Sequence, residues 1–194
     1  MAHLRWALAT VLLAGVGLGV RGAAPPPDPL ERPWVELGTD DPIKADQAMA
    51  HLVARPAQTV PFLRRRLRPV TVDTQRVARW LAQLDSDRYA TREQASRALE
   101  SLSEAVEPLL RQALAGQPSL EARRRIERLL KQVRGERLSP SPPRRRAVLA
   151  IEVLERIGDT AARQVLATLA RGAPAAALTV DAKGALERLA RQKD

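Results

Sequence analysis

The chain repeats itself. Displaced by 47 residues without a gap, residues 34–67 overlay residues 81–114 with identities at nine of 34 positions. Leu37, Asp40, Gln47, Ala48, Leu52, Pro61, Leu63, Arg64 and Leu67 meet Leu84, Asp87, Gln94, Ala95, Leu99, Pro108, Leu110, Arg111 and Leu114. A unit that recurs at this length has an apolar face it cannot bury alone, so it must stack on another unit.

Within the unit the spacing is helical. Arg92, Ala95, Leu99 and Leu102 share one face, and Val106, Leu109, Leu110, Ala113 and Leu114 share a face of the next helix. Asp73 is placed to cap a bridging helix that carries Val77, Trp80, Leu81 and Leu84. Gly116 and Pro118 separate the hairpin from a further helix, capped by Ser119 and striped by Ile126, Leu129, Leu130 and Val133. Gly135 is expected to end that helix, with a proline-rich loop to Pro143. A third hairpin follows, Ala147 to Ile157 and Thr160 to Ala170, turned by Gly158 and Asp159. Thr179 is expected to cap a last helix, in which Ala182, Leu189 and Gln192 echo Ala122, Leu129 and Gln132 at a shift of 60. Aromatics are only 3% of the chain, so Leu, Ala, Val and Ile must fill the interior, and the first two favour helices. The expected fold is all-α, about nine or ten helices after residue 33 stacked in chain order as a right-handed α-solenoid.

Residues 1–24 read as a signal peptide. His3 and Arg5 precede an apolar run, Trp6 to Val20, whose 15 residues fall short of the roughly 20 of a spanning helix. Gly22-Ala23-Ala24 offers a cleavage site, while Pro25 after the cut opposes processing, so an uncleaved anchor is the alternative. Residues 25–33, with Pro25, Pro26, Pro27, Pro29 and Pro33, are expected to form an extended spacer, and residues 34–194 the repeat domain. The expected location is periplasmic or extracellular, with membrane contact if residues 6–20 are retained.

Leu84-Asp85-x-Asp87, Arg92-x-x-Ala95-x-x-x-Leu99 and Pro108-x-Leu110 resemble the HEAT repeat, and Arg146, Ala150 and Leu154 echo it in the third hairpin. Asp87 to Ala95, Pro118 to Arg125 and Ala150 to Gly158 together are similar to a HEAT-like helical region appended to WD-repeat propeller proteins in certain bacteria. The likeness covers about residues 80–190, and the first unit departs from it, with Ala45 where Arg92 stands in the second. The resemblance implies an interaction scaffold. It also implies a structural role for Asp87, Arg92, Ala95, Leu99, Pro108 and Leu110, with the arginine pairing to an aspartate of a neighbouring turn.

Little in the chain points to catalysis. There is no cysteine, which excludes disulfides, thiolate metal sites, a cysteine nucleophile and a lipidated N-terminal cysteine. His51 is the one histidine after residue 24, and it overlays Ala98 on a helix flank. Asp40, Asp41, Asp85 and Asp87 sit where helices begin and read as caps, since Asp85-Ser86-Asp87 lacks the glycine and later glutamate of a calcium loop. No glycine-rich phosphate loop occurs, and no enzyme activity, metal or cofactor is expected.

The charge is uneven. Residues 111–146 hold eleven Arg or Lys and three Glu, a net of +8, which is all that remains of the chain's +10 once residues 1–24 and their two arginines are set aside. Arg124, Arg128 and Lys131 lie opposite the core stripe, and Arg144, Arg145 and Arg146 are expected at the edge of the same row. The expected function is a non-enzymatic helical-repeat scaffold that binds another protein, an acidic one, outside the cytoplasm. The alternative is a basic module for an anionic polymer or membrane surface. Nucleic acid is disfavoured, because an exported protein and a genome do not share a compartment.

Overall fold

Short polar side chains cap four of the helix starts. The computed structural model of the protein describes residues 28–192, and within them the elements are α1 (Glu31–Glu36), α2 (Pro42–Val53), α3 (Pro56–Arg66), α4 (Thr74–Gln83), α5 (Tyr89–Ser101), α6 (Glu107–Ala115), α7 (Leu120–Leu138), α8 (Pro142–Ile157), α9 (Thr160–Leu169) and α10 (Ala177–Arg191). A 3-10 turn, Ser103–Val106, leads into α6, and no strand occurs among the described residues. Asp41 Oδ1 accepts from the N–H of Ile43 and Lys44, Asp73 Oδ1 from Arg76, Ser119 Oγ from Ala122 and Asp159 Oδ1 from Ala162. Each satisfies an N–H that the first turn leaves without a partner. Gly158, at φ +59°, takes the left-handed conformation that ends α8, a place where a Cβ would be strained.

The 47-residue register holds in three dimensions. α2 and α5 begin at equivalent positions, and Leu37 and Leu84 close α1 and α4 with no exposed surface. Ala95, Leu99 and Leu110 are as buried as their counterparts Ala48, Leu52 and Leu63. The second helices of the two hairpins differ. α3 is continuous with Pro61 inside it, whereas in the second copy Ser103 (φ +48°) and the 3-10 turn come first. Pro108 therefore sits in the first turn of α6, where the missing N–H costs no hydrogen bond.

Stacking does not follow chain order. One core joins α1, α2 and α3 to α8, α9 and α10 through Leu37, Met49, Leu52, Phe62, Leu63, Ile151, Leu154, Leu166 and Leu189. A second core, centred on Val77, Leu84, Leu99, Leu110, Ile126 and Leu129, belongs to α4–α7. The first hairpin thus meets the third, α2 against α8 and α3 against α9, where a solenoid in chain order would place it on the second. The physical reason lies in two positions. Met49 and Val53 in α2 become Ser96 and Glu100 in α5, and α7 meets these polar positions with hydrogen bonds while Glu100 stays exposed: Arg125 donates to Ser96 Oγ at 3.2 Å and Gln132 to Glu100 at 2.8 Å.

Other expectations shift locally. Residues 28–33 are not an extended spacer: Leu30 and Pro33 are buried, and α1 already begins at Glu31. Residues 1–27, with the signal-peptide reading and Pro25–Pro27, lie outside the described residues. α7 runs through Gly135 to Leu138, because a solvent-facing glycine costs a helix less than stopping it does, and the helix ends at Ser139 and Pro140 instead. Thr179 caps nothing. It is buried in α10, and its hydroxyl donates to the Leu169 carbonyl at 3.3 Å.

Candidate interaction surface

α7 is the longest helix of the described residues, and its two faces differ in kind. Ala122, Arg125, Ile126, Leu129 and Val133 are buried against α5 and α6. Arg124, Arg128 and Lys131 are exposed on the opposite side, at the i, i+4, i+7 spacing that makes one row. Arg123 and Arg134 are exposed beside them, with Glu127 between. Leu120 and Leu138, 64% and 82% exposed, stand at the two ends of this face, roughly 27 Å apart along the helix.

Pairing divides the eleven basic residues of 111–146. Arg111 and Arg137 hold Glu107, Arg125 holds Glu121 at 2.7 Å, Arg144 meets Asp181 at 2.9 Å and Arg145 meets Asp40 at 2.8 Å. Arg146 lies over the Trp34 ring, 5.3 Å from its centre. Arg123, Arg124, Arg128, Lys131 and Arg134 make no ion pair among the described residues. Arg144, Arg145 and Arg146 therefore do not extend the row. They stand at the start of α8, Arg144 and Arg145 in its first turn, where a cation is disfavoured by the helix dipole, and half-buried contacts with α1, the α1–α2 turn and α10 hold them there. Arg145 also donates to the Gly38 carbonyl, at 3.0 Å.

Arg92 and Asp87 do not pair. Arg92 donates to the backbone carbonyls of Ser86 (2.6 Å) and Asp87 (3.1 Å), and its nearest carboxylate is Glu121, 3.6 Å away on α7. Asp87 is exposed, and α5 has no side-chain cap. Asp85 accepts from the Ser119 hydroxyl, which ties the start of α7 to the α4–α5 turn. Glu121 is held below the ordinary glutamate pKa, first by the hydrogen bond from Arg125 and then by the charges of Arg125, Arg92 and Arg124. His51 is half-buried on α2, and no cluster of three His, Asp or Glu able to hold a metal ion occurs among the described residues.

Sequence reasoning found the row but missed its ends. Leu120 and Leu138 are readable there in principle, since both fall on the outer side of the stripe at helical spacing. The engagement of Arg144–Arg146 had no local signal, because Asp40, Asp181 and Trp34 are distant in the chain. Comparison of the chain with protein-family models, with curated proteins and with solved structures finds no match.

Proposed function

We propose that the protein is a non-enzymatic binding module that offers the outer face of α7 to an acidic surface of another protein, outside the cytoplasm. One observation carries this reading: five cations of one helix face have no carboxylate partner, while the other six basic residues of the same segment are engaged. Exposed, unpaired charges of one sign contribute little to stability and much to the rate and selection of association. Leu120 and Leu138 add apolar anchors at the ends of the row. In this reading the hairpins α2–α3, α5–α6 and α8–α9 are HEAT-like units whose stacking is closed between the first and third, in place of an open right-handed solenoid. The location rests on residues 1–24.

The second reading, a basic module on an anionic polymer or membrane surface, draws on the same leucines, which could enter a lipid interface beside the cations. No helix of the described residues is long and apolar enough to cross a membrane.

The test is recovery of partners of the exported full chain by proximity labelling and mass spectrometry, with Arg124→Gln/Arg128→Gln/Lys131→Gln alongside. The triple variant is expected to melt within a few degrees of wild type and to lose an acidic protein partner. Retention of every partner by the variant would reduce the row to a solvated face. Binding to anionic vesicles that collapses with salt, with no protein recovered, would favour the second reading.

A further inference from the structure

The groove between α3 and α9 lies on the other core, away from α7 and its row. It has a volume of about 800 Å³. Arg64, Arg65 and Arg68 stand along one side, and all three are exposed. Pro61 and Val60 continue that side toward the floor, and the α9 side is neutral, with Gln164 and Thr168.

The internal repeat shows that these arginines exceed what the fold uses. The counterpart of Arg64 is Arg111, whose guanidinium is held by Glu107 at 2.7 Å one turn earlier. The position equivalent to Glu107 is Val60, so Arg64 has no such carboxylate. The counterparts of Arg65 and Arg68 are Gln112 and Ala115, so neither charge belongs to the shared architecture. Among the described residues Arg64 and Arg68 make no ion pair, and Arg65 reaches only Asp28, at 3.9 Å. Asp159, the acid at the groove, is engaged in capping α9. Of the chain's 22 Asp and Glu residues only Asp194 lies outside the described segment, so the N-terminal residues cannot supply the missing partners. The C-terminal dipole of α3 favours the cations of its last turn, Arg64, Arg65 and Arg66, but of these only Arg66 is held closely, pairing with Glu31 and stacking on Phe62, and Arg68 lies past the helix end.

A contrasting groove lies between α8 and α10. Its charges are matched internally, Arg156 to Glu152 at 2.6 Å and Arg188 to Glu155 at 2.7 Å, so nothing there calls for a partner.

We propose that the α3–α9 groove is a docking site for an extended acidic peptide segment of a partner protein. Carboxylates of the peptide would meet Arg64, Arg65 and Arg68, alternate apolar side chains would rest against Pro61 and Val165, and the Gln164 amide would be available to the peptide backbone. A single nucleic-acid strand would need aromatic stacking, and no aromatic side chain lines the groove. The proposal does not depend on the reading of α7.

The test is fluorescence anisotropy of the full chain with a labelled synthetic peptide of alternating Glu and Val. Controls are its Gln-for-Glu version, oligo-thymidine and phosphatidylglycerol vesicles. Arg64→Gln/Arg65→Gln/Arg68→Gln is expected to weaken the peptide by about tenfold or more, as loss of several charge-assisted contacts does. Gln164→Trp, which leaves every arginine in place and fills the groove, should weaken it by at least about fivefold through steric exclusion. The α7 triple variant should bind the peptide as wild type does, so failure of one surface is distinguishable from failure of the other. Undiminished binding by either groove variant overturns the proposal. So does preference for oligo-thymidine or vesicles over the peptide with the same dependence on the three arginines.

Discussion

The first and second copies of the repeat share their helix register and their buried leucines, yet they solve the problem of the leftover face in opposite ways. In the first copy that face is apolar, with Met49 and Val53, and it is closed by a helix almost a hundred residues away, α8. In the second the same places hold Ser96 and Glu100, half-buried and exposed, and a neighbouring helix reaches them by hydrogen bonds from Arg125 and Gln132. Arg125 is 7% exposed and bridges Glu121 (2.7 Å), Ser96 (3.2 Å) and Glu93 (3.5 Å). Two polar replacements in an apolar stripe thus accompany a different helix partner, although the stripe's leucines are unchanged.

The contrast is broken most forcefully by a charge in each core. Leu52→Asp and Leu99→Asp each bury a carboxylate without a partner and should each cost about 4 kcal/mol or more. The pattern matters more than the size. Hydrogen exchange should show Leu52→Asp deprotecting α2, α3 and α8–α10 while α4–α7 stay protected, and Leu99→Asp the reverse. Uniform loss of protection in both variants would mean that the two cores are one cooperative unit.

A smaller effect tests the ionic closure. Arg125→Met keeps the length of the side chain and removes the bridge, leaving Glu93 and Glu121 exposed enough to hydrate. We expect a loss of about 1–2 kcal/mol in denaturant unfolding, confined to the α4–α7 transition. No change, or a gain, would show that apolar packing could have closed this face as well as ions do.

The smallest effect concerns Glu107, the residue that replaces Val60. Its carboxyl is held below the ordinary glutamate pKa, chiefly by the hydrogen bond from Arg111 and then by the charges of Arg137 and Arg111. A lowered pKa stabilises the fold above the unfolded value, and that contribution fades as pH falls through the folded one. Glu107→Gln should therefore lower the melting temperature at neutral pH by an amount equivalent to about 1 kcal/mol, and the gap to wild type should close in acid, below about pH 4. A gap independent of pH would place Glu107's contribution in packing.

Much of the local structure was legible from residue order. Asp41, Asp73 and Ser119 cap the helices they precede, and Gly158 and Asp159 turn the third hairpin, because capping and left-handed turns depend on neighbours only. The row Arg124, Arg128, Lys131 was legible for the same reason, since a helix face is set by spacing. What depends on contacts across the fold was not. Arg144–Arg146 read as free charge until Asp181, Asp40 and Trp34 are brought to them, and Thr179 reads as a cap until Leu169 lies beneath it. The pairing of the first and third hairpins is written in Met49, Ser96, Val53 and Glu100, but only a comparison of the two copies reveals it.

The extended stretch 67–73, where Ala173 N–H donates to the Val70 carbonyl at 2.7 Å, has a consequence in time. As the chain emerges from its N-terminus, α4–α7 can complete their core from contacts within one continuous segment. The apolar faces of α1–α3 must wait for α8–α10, and closing so long a loop is the entropically costly step. During that interval Met49, Leu52 and Phe62 are the surfaces most open to aggregation or to a chaperone. The docking of α2 on α8 is then the step expected to limit the rate of reaching the native state. Changes within α4–α7 should alter how firmly the finished molecule holds together while leaving the speed of its assembly nearly untouched.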